Sequence, residues 1–234
     1  MTIPAAPYDF PITGSLDPGR TALLIIDMQR DFCDHDGYMH TRGDDVSAIR
    51  SVIPAITAVR RAALRAGMTI VYTREGHRPD LSDLPESKRL KTASAGAEIG
   101  TKGPLGRLLV RGEPGWDFIP ELKPKPGDIV VDKPGTGAFY STDLQHVLVT
   151  KGIENVILTG VTTGVCVSTT AREAADRGFS VLVLDDCCAE PDPSNHALAI
   201  HLLKIESGYL TTVGTSDAFI KAVHAFSASE EVNV

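Results

Sequence analysis

Six short apolar runs rich in β-branched residues, ALLIID, MTIVYT, DIVVDK, NVILTGV, SVLVLDD and YLTTV, recur along the chain with longer segments of helical period between them. Runs too short to be helices, separated by stretches long enough to cross back over a sheet, specify βαβ units and a parallel sheet. Most of these runs are continuously apolar, so both faces of the sheet need cover. The expected fold class is therefore α/β, with the six strands in one sheet. Between the first two runs, in the stretch 46–66, Val52, Ile56, Val59 and Ala63 fall on one helical face, and Gly67 ends that helix. Segments 142–150, 167–177 and 194–204 read as further crossover helices.

At 234 residues the chain suits one large α/β domain or two small ones. With neither an internal repeat nor a linker, a single domain over 1–234 is expected, with 1–20 as an N-terminal arm. Residues 76–127 differ in texture, being rich in Pro, Gly and charge with little sustained period, and read as a lid or assembly insertion over the active site, anchored by Trp116. The net charge of −7, with no basic block, argues against a nucleic-acid partner or an anionic membrane. The first twenty residues have neither a basic start nor a long apolar run, so a cytoplasmic protein without leader or anchor is expected. Cys33, Cys166, Cys187 and Cys188 lack zinc-site spacing, and the adjacent pair does not suit an ordinary disulfide, which leaves free thiols.

Open parallel sheets bind ligands beyond the carboxyl ends of their strands. Asp27, Arg74, Glu75, Lys133, Thr162 to Cys166, Asp185 and Asp186 stand at those ends. Cys166 follows NVILTGV through a short turn and opens the helical pattern VSTTAREAADRG, where the helix N-terminus favours a thiolate. The same turn offers the amides of Thr162 and Cys166 to an oxyanion. A thiol near its ordinary pKa needs a base and a cation beside it. Asp27 can take and return the proton while Lys133 stabilises the charged pair.

TALLIIDMQRDF, DKPGTGAF and ILTGVTTGVCVSTTAREAADRG resemble the signature stretches of the isochorismatase-like cysteine hydrolases, in order and across most of the chain. The resemblance implies a three-layer α/β/α sandwich on a six-stranded parallel sheet, and a catalytic triad of Asp27, Lys133 and Cys166. It further implies a cis peptide between Val161 and Thr162, and a homo-oligomer, often a tetramer. Within the family, TREGHRPDLSDLPESKR and RGEPGWDFIPEL look most like the biuret and triuret hydrolases. That likeness implies release of ammonia from a small ureide through a thiocarbonyl enzyme intermediate, with water activated by the same Asp27. Ureidoacrylate or N-carbamoyl amino acid hydrolysis is the alternative. A vinyl-ether hydrolase that works without Cys166, or a non-catalytic assembly module, is the remaining reading.

A ureide is dense in N–H and C=O groups, so its pocket needs fixed polar partners, because each one buried unpaired costs about 1–3 kcal/mol. Gln29, His77, Arg78, Thr162 and Glu206 are the candidates, with Phe32 as a wall. The family's nicotinamidase branch holds a metal through an Asp-x-His element. Here the matching stretch reads EGHRPD, which leaves His77 without partners, so neither metal nor cofactor is expected. Two departures from the relatives' pattern stand out: Glu206 in place of Gln, and Gly164 in place of an Asp two residues before the nucleophile.

Overall fold

The computed structural model describes residues 1–232. The main sheet contains β1 (Ala5–Ala6), β2 (Thr21–Ile26), β3 (Thr69–Glu75), β4 (Ile129–Lys133), β5 (Asn155–Val161), β6 (Ser180–Ala189) and β7 (Thr212–Gly214). Its spatial order is β1-β7-β6-β5-β2-β3-β4, seven strands rather than the six read from the sequence. Six of them run parallel. The seventh is the N-terminal arm, which pairs antiparallel to β7 and is held down by fully buried Ile3, Phe10 and Leu16. Two residues with no periodicity of their own give no strand signal in the sequence.

Every residue of β2 and β5 is buried, as continuous apolar strands demand. Successive side chains of β2 point to opposite faces. Leu23 and Ile25 join one core, while Ala22, Leu24 and Ile26 join the other. The first core is roofed by α1 (Ile53–Arg65), the second by α3 (Leu144–Thr150) and α4 (Ser168–Asp176). α2 (Glu86–Ser94) lies in the insertion, α5 (Pro193–Leu203) links β6 to β7, and α6 (Ser216–Val232) packs on α1 through buried Phe219 and Val223.

The single helix expected over 46–66 is broken into Ser47–Ser51 and α1. Pro54 lacks the N–H that a continuous helix would need, but suits the first turn of a new one. α2 was missed because it buries no residue and so has no apolar stripe to betray it. α6 follows the last strand, so no crossover called for it. Among the described residues no helix is long and apolar enough to cross a membrane.

Candidate active site

β5, β2, β3 and β4 are neighbours in the sheet, so residues at their carboxyl ends share one edge. Glu75 of β3 pairs in register with Lys133 of β4, and Ile26 of β2 with Thr73 of β3 and Gly160 of β5. The strands approach so closely that a Cβ on Gly160, whose φ is +108°, would stand 2.1 Å from the Ile26 carbonyl oxygen. Glycine is required there. Immediately after β2, Asp27 adopts a left-handed backbone with φ of 52°. Thr73 donates its hydroxyl proton to Asp27 Oδ1 at 2.6 Å, and Lys133 Nζ lies 2.7 Å from Oδ2.

Lys133 Nζ also lies 3.7 Å from Cys166 Sγ and 3.6 Å from Glu75 Oε2, and donates to the Gly135 and Thr136 carbonyls at 3.0 and 2.8 Å. The thiol of Cys166 donates toward Glu75 Oε2 at 3.5 Å. On the other Glu75 oxygen, Lys88 Nζ of α2 sits at 2.5 Å, and it donates to the Pro134 carbonyl as well. The structure thus brings Asp27, Lys133 and Cys166 together and adds Glu75 and Lys88 to them. Glu75 stood among the strand-end residues in the sequence without a role. Lys88 had no signal beyond being one of many charges in the insertion.

Cys166 lies within a turn of π-helix, Thr163–Val167, that leads into α4. The Val161–Thr162 peptide is cis. Thr163 Oγ1 and His196 Nδ1 are 2.8 Å apart, and His196 Nε2 is 2.8 Å from Asp185 Oδ1, so α5 and β6 brace the turn from behind. Gly164 N donates to Glu190 at 2.6 Å, which places a carboxylate beside the position where relatives carry one in sequence.

The charges set the resting proton positions. Burial pushes the Asp27 carboxyl up, Lys133 opposes that rise in part, and Glu75 adds to it. Burial acts in the same direction on Glu75, but Lys133 and Lys88 outweigh it and hold this carboxyl below its ordinary value. Burial raises the Cys166 thiol well above its usual range, against Lys133 and with help from Asp27 and Glu75. Lys133 is raised despite burial, because Asp27, Cys166 and Glu75 surround it. The resting nucleophile is therefore a thiol beside an ammonium, with one carboxylate firmly ionised and a second of raised proton affinity. Asp27, Glu75 and Cys166 form the one group among the described residues with metal-ligand atoms within 4.8 Å of one another. Lys133 reaches all three, so a cation entering there meets a buried ammonium.

Of these groups, Glu75, Lys88 and Cys166 face a cavity of about 410 Å³, lined also by Phe32, Tyr38, Arg42, Lys91, Thr136, Thr162 and Glu190, among others. The insertion closes over the site of its own chain, contributing Lys88, Lys91, Thr92, Ala95, Ile99 and Leu109 to the wall. Trp116 anchors it, with the Arg74 guanidinium 3.6 Å from the indole ring centre.

Of the substrate-binding candidates, Phe32 and Thr162 line this cavity and the other four do not. The Gln29 amide is consumed by the backbone: Nε2 donates to the Glu75 and Trp116 carbonyls, and Oε1 accepts from Glu75 N. His77 is enclosed by the insertion, with Nδ1 3.3 Å from Asp83. Arg78 and Glu206 are exposed away from the cavity, Glu206 with a left-handed φ of 53° in the turn after α5. A ring or guanidinium near a strand end in sequence need not point inward, and the insertion's path could not be traced from composition.

Residues 21–217 match the Isochorismatase domain family. The chain is 33% identical to a ureidoacrylate amidohydrolase of Stutzerimonas stutzeri, with 100% of this chain and 92% of that protein covered. A cysteine hydrolase from Pseudomonas syringae pv. phaseolicola shares the fold with a TM-score of 0.77 at 24% identity, over 96% of this chain and 99% of that one. N-carbamoylsarcosine amidase from Thermoplasma acidophilum superimposes with a TM-score of 0.64 at 25% identity, over 85% of this chain and 97% of that one.

Proposed function

The chain belongs to the isochorismatase family and is one of its amide-bond hydrolases, and on that premise we propose that it cleaves the terminal C–N bond of a carbamoyl group with Cys166 as nucleophile. The observation that carries this reading is one buried ammonium, Lys133, held 2.7 Å from Asp27 and 3.7 Å from the Cys166 sulfur at the wall of a 410 Å³ cavity. Asp27, whose proton affinity is raised, takes the proton as the sulfur attacks the carbonyl. Lys133 offsets the charge of the thiolate. The amides of Thr162 and Cys166 receive the oxyanion. Protonated through Asp27, ammonia leaves, and water then cleaves the thiocarbonyl intermediate.

For the substrate, a ureido acid such as ureidoacrylate fits best. The similarity to a ureidoacrylate amidohydrolase over the whole chain supports it. Arg42 and Lys91 bring positive charge to the cavity wall, where a carboxylate can be received. Biuret or triuret is the second reading: the likeness of TREGHRPDLSDLPESKR and RGEPGWDFIPEL favours it, and Glu75 and Glu190 supply acceptors for an N–H-rich molecule. Ammonia release from ureidoacrylate, an N-carbamoyl amino acid, biuret and triuret, measured side by side, separates the two. A charge-assisted contact contributes about 1.5–3 kcal/mol, so ureidoacrylate should exceed biuret in kcat/KM by roughly tenfold or more. The opposite order selects the neutral ureides.

A further inference from the structure

Two carboxylates flank the nucleophile, but only one of them lines the cavity. Asp27 is fully buried and absent from the cavity wall, with Thr73 on one oxygen and Lys133 on the other. Glu75 lines the cavity beside Cys166, Thr136 and Thr162. Its Oε1 is fixed by Lys88 at 2.5 Å, which leaves Oε2 turned toward the Cys166 sulfur at 3.5 Å. Once the sulfur is acylated, water arriving from the cavity can touch Glu75 directly, whereas Asp27 does not line the cavity.

We propose that Glu75 is a second catalytic carboxylate, the base for the hydrolytic half of the reaction. It accepts a proton from the attacking water as the new C–O bond forms. Collapse of the tetrahedral adduct breaks the C–S bond, and the departing thiolate is stabilised by Lys133. Glu75 then returns the proton to sulfur along the 3.5 Å contact, restoring both the thiol and the free carboxylate. No oxidant or further reactant is needed. The low proton affinity that Lys133 and Lys88 impose on Glu75 keeps it unprotonated when the acyl-enzyme forms. Asp27, whose proton affinity burial raises, remains the base for the first half. Lys88 comes from α2, so docking of the insertion orients the hydrolytic base.

This inference rests on the ureide-cleaving reading above, and its test separates the two. Wild-type enzyme, Glu75→Gln and Cys166→Ser are each mixed with the ureide that wild type cleaves best, with ammonia followed from the first turnover and the protein mass recorded. Glu75→Gln should release about one equivalent of ammonia per site in a burst and carry a persistent adduct on Cys166. Its steady rate should fall at least roughly a hundredfold, within the range lost with a general base. A steady rate within threefold of wild type, or a folded Glu75→Gln with neither burst nor adduct, overturns the proposal. Should Glu75→Gln not fold, Glu75→Asp decides: it keeps the charge beside Lys88 but withdraws the carboxylate by one methylene, so a longer adduct lifetime supports the role and a wild-type lifetime overturns it. Wild type inert toward every ureide sinks the parent reading instead.

Discussion

Lys133 is the residue on which the site turns. Its ammonium is fully buried against a fully buried carboxylate, with Glu75 and the thiol close by. Removing one member of a buried pair strands the others, at a cost of about 3–5 kcal/mol. Lys133→Gln should therefore lose stability on that scale in urea unfolding, as well as activity; a wild-type midpoint would show that the pair is not buried as described. His196 acts at one remove, through Thr163. Losing one such hydrogen bond removes about 1 kcal/mol of positioning, so His196→Ala should lower kcat roughly fivefold with little change in KM. A change confined to KM would instead place His196 against the substrate. Asp27, Lys133 and Cys166 were legible in sequence because each stands at or just beyond the carboxyl end of a strand inside a recognisable stretch. Glu75 lies at a strand end too, but no motif gave it a role, and only the register with Lys133 shows that it belongs to the site.

Among the elements, the insertion is fastened to the short helix Arg30–Cys33 that follows β2 by Asp31, which accepts from Leu109 N of the insertion at 2.9 Å and also from Tyr38 N at 3.3 Å. Burial pushes its carboxyl up to about 6, against the pull of those two amides. Because the folded-state value lies above the ordinary one, its contribution to stability is full below about pH 4 and is lost as pH rises through about 6. Asp31→Asn lacks that titration. Its deficit relative to wild type should shrink by up to about 3 kcal/mol between pH 4 and pH 7, two pKa units at 1.36 kcal/mol each. Parallel unfolding curves at both pH values would contradict this. The strands were readable because being buried on both faces makes them apolar throughout. α2 was not readable, since its contribution is to present Lys88 and Lys91 rather than to bury a stripe.

For the molecule as a whole, the strand order brings four carboxyl ends to one edge, and the insertion converts that edge into an enclosed cavity. The first part followed from alternation of strands and helices, which topology rules turn into a sheet with ligands at one end. The second did not, because the path of a polar insertion is set by a few contacts such as Arg74 on Trp116 and Asp31 on Leu109 that composition does not encode. All of the chemistry assigned here passes through one sulfur. The most direct measurement is ammonia release by Cys166→Ser beside wild type on the ureide wild type cleaves best, with folding verified by matching circular dichroism. Loss of turnover to the uncatalysed rate is the predicted result; release at the wild-type rate would contradict the account.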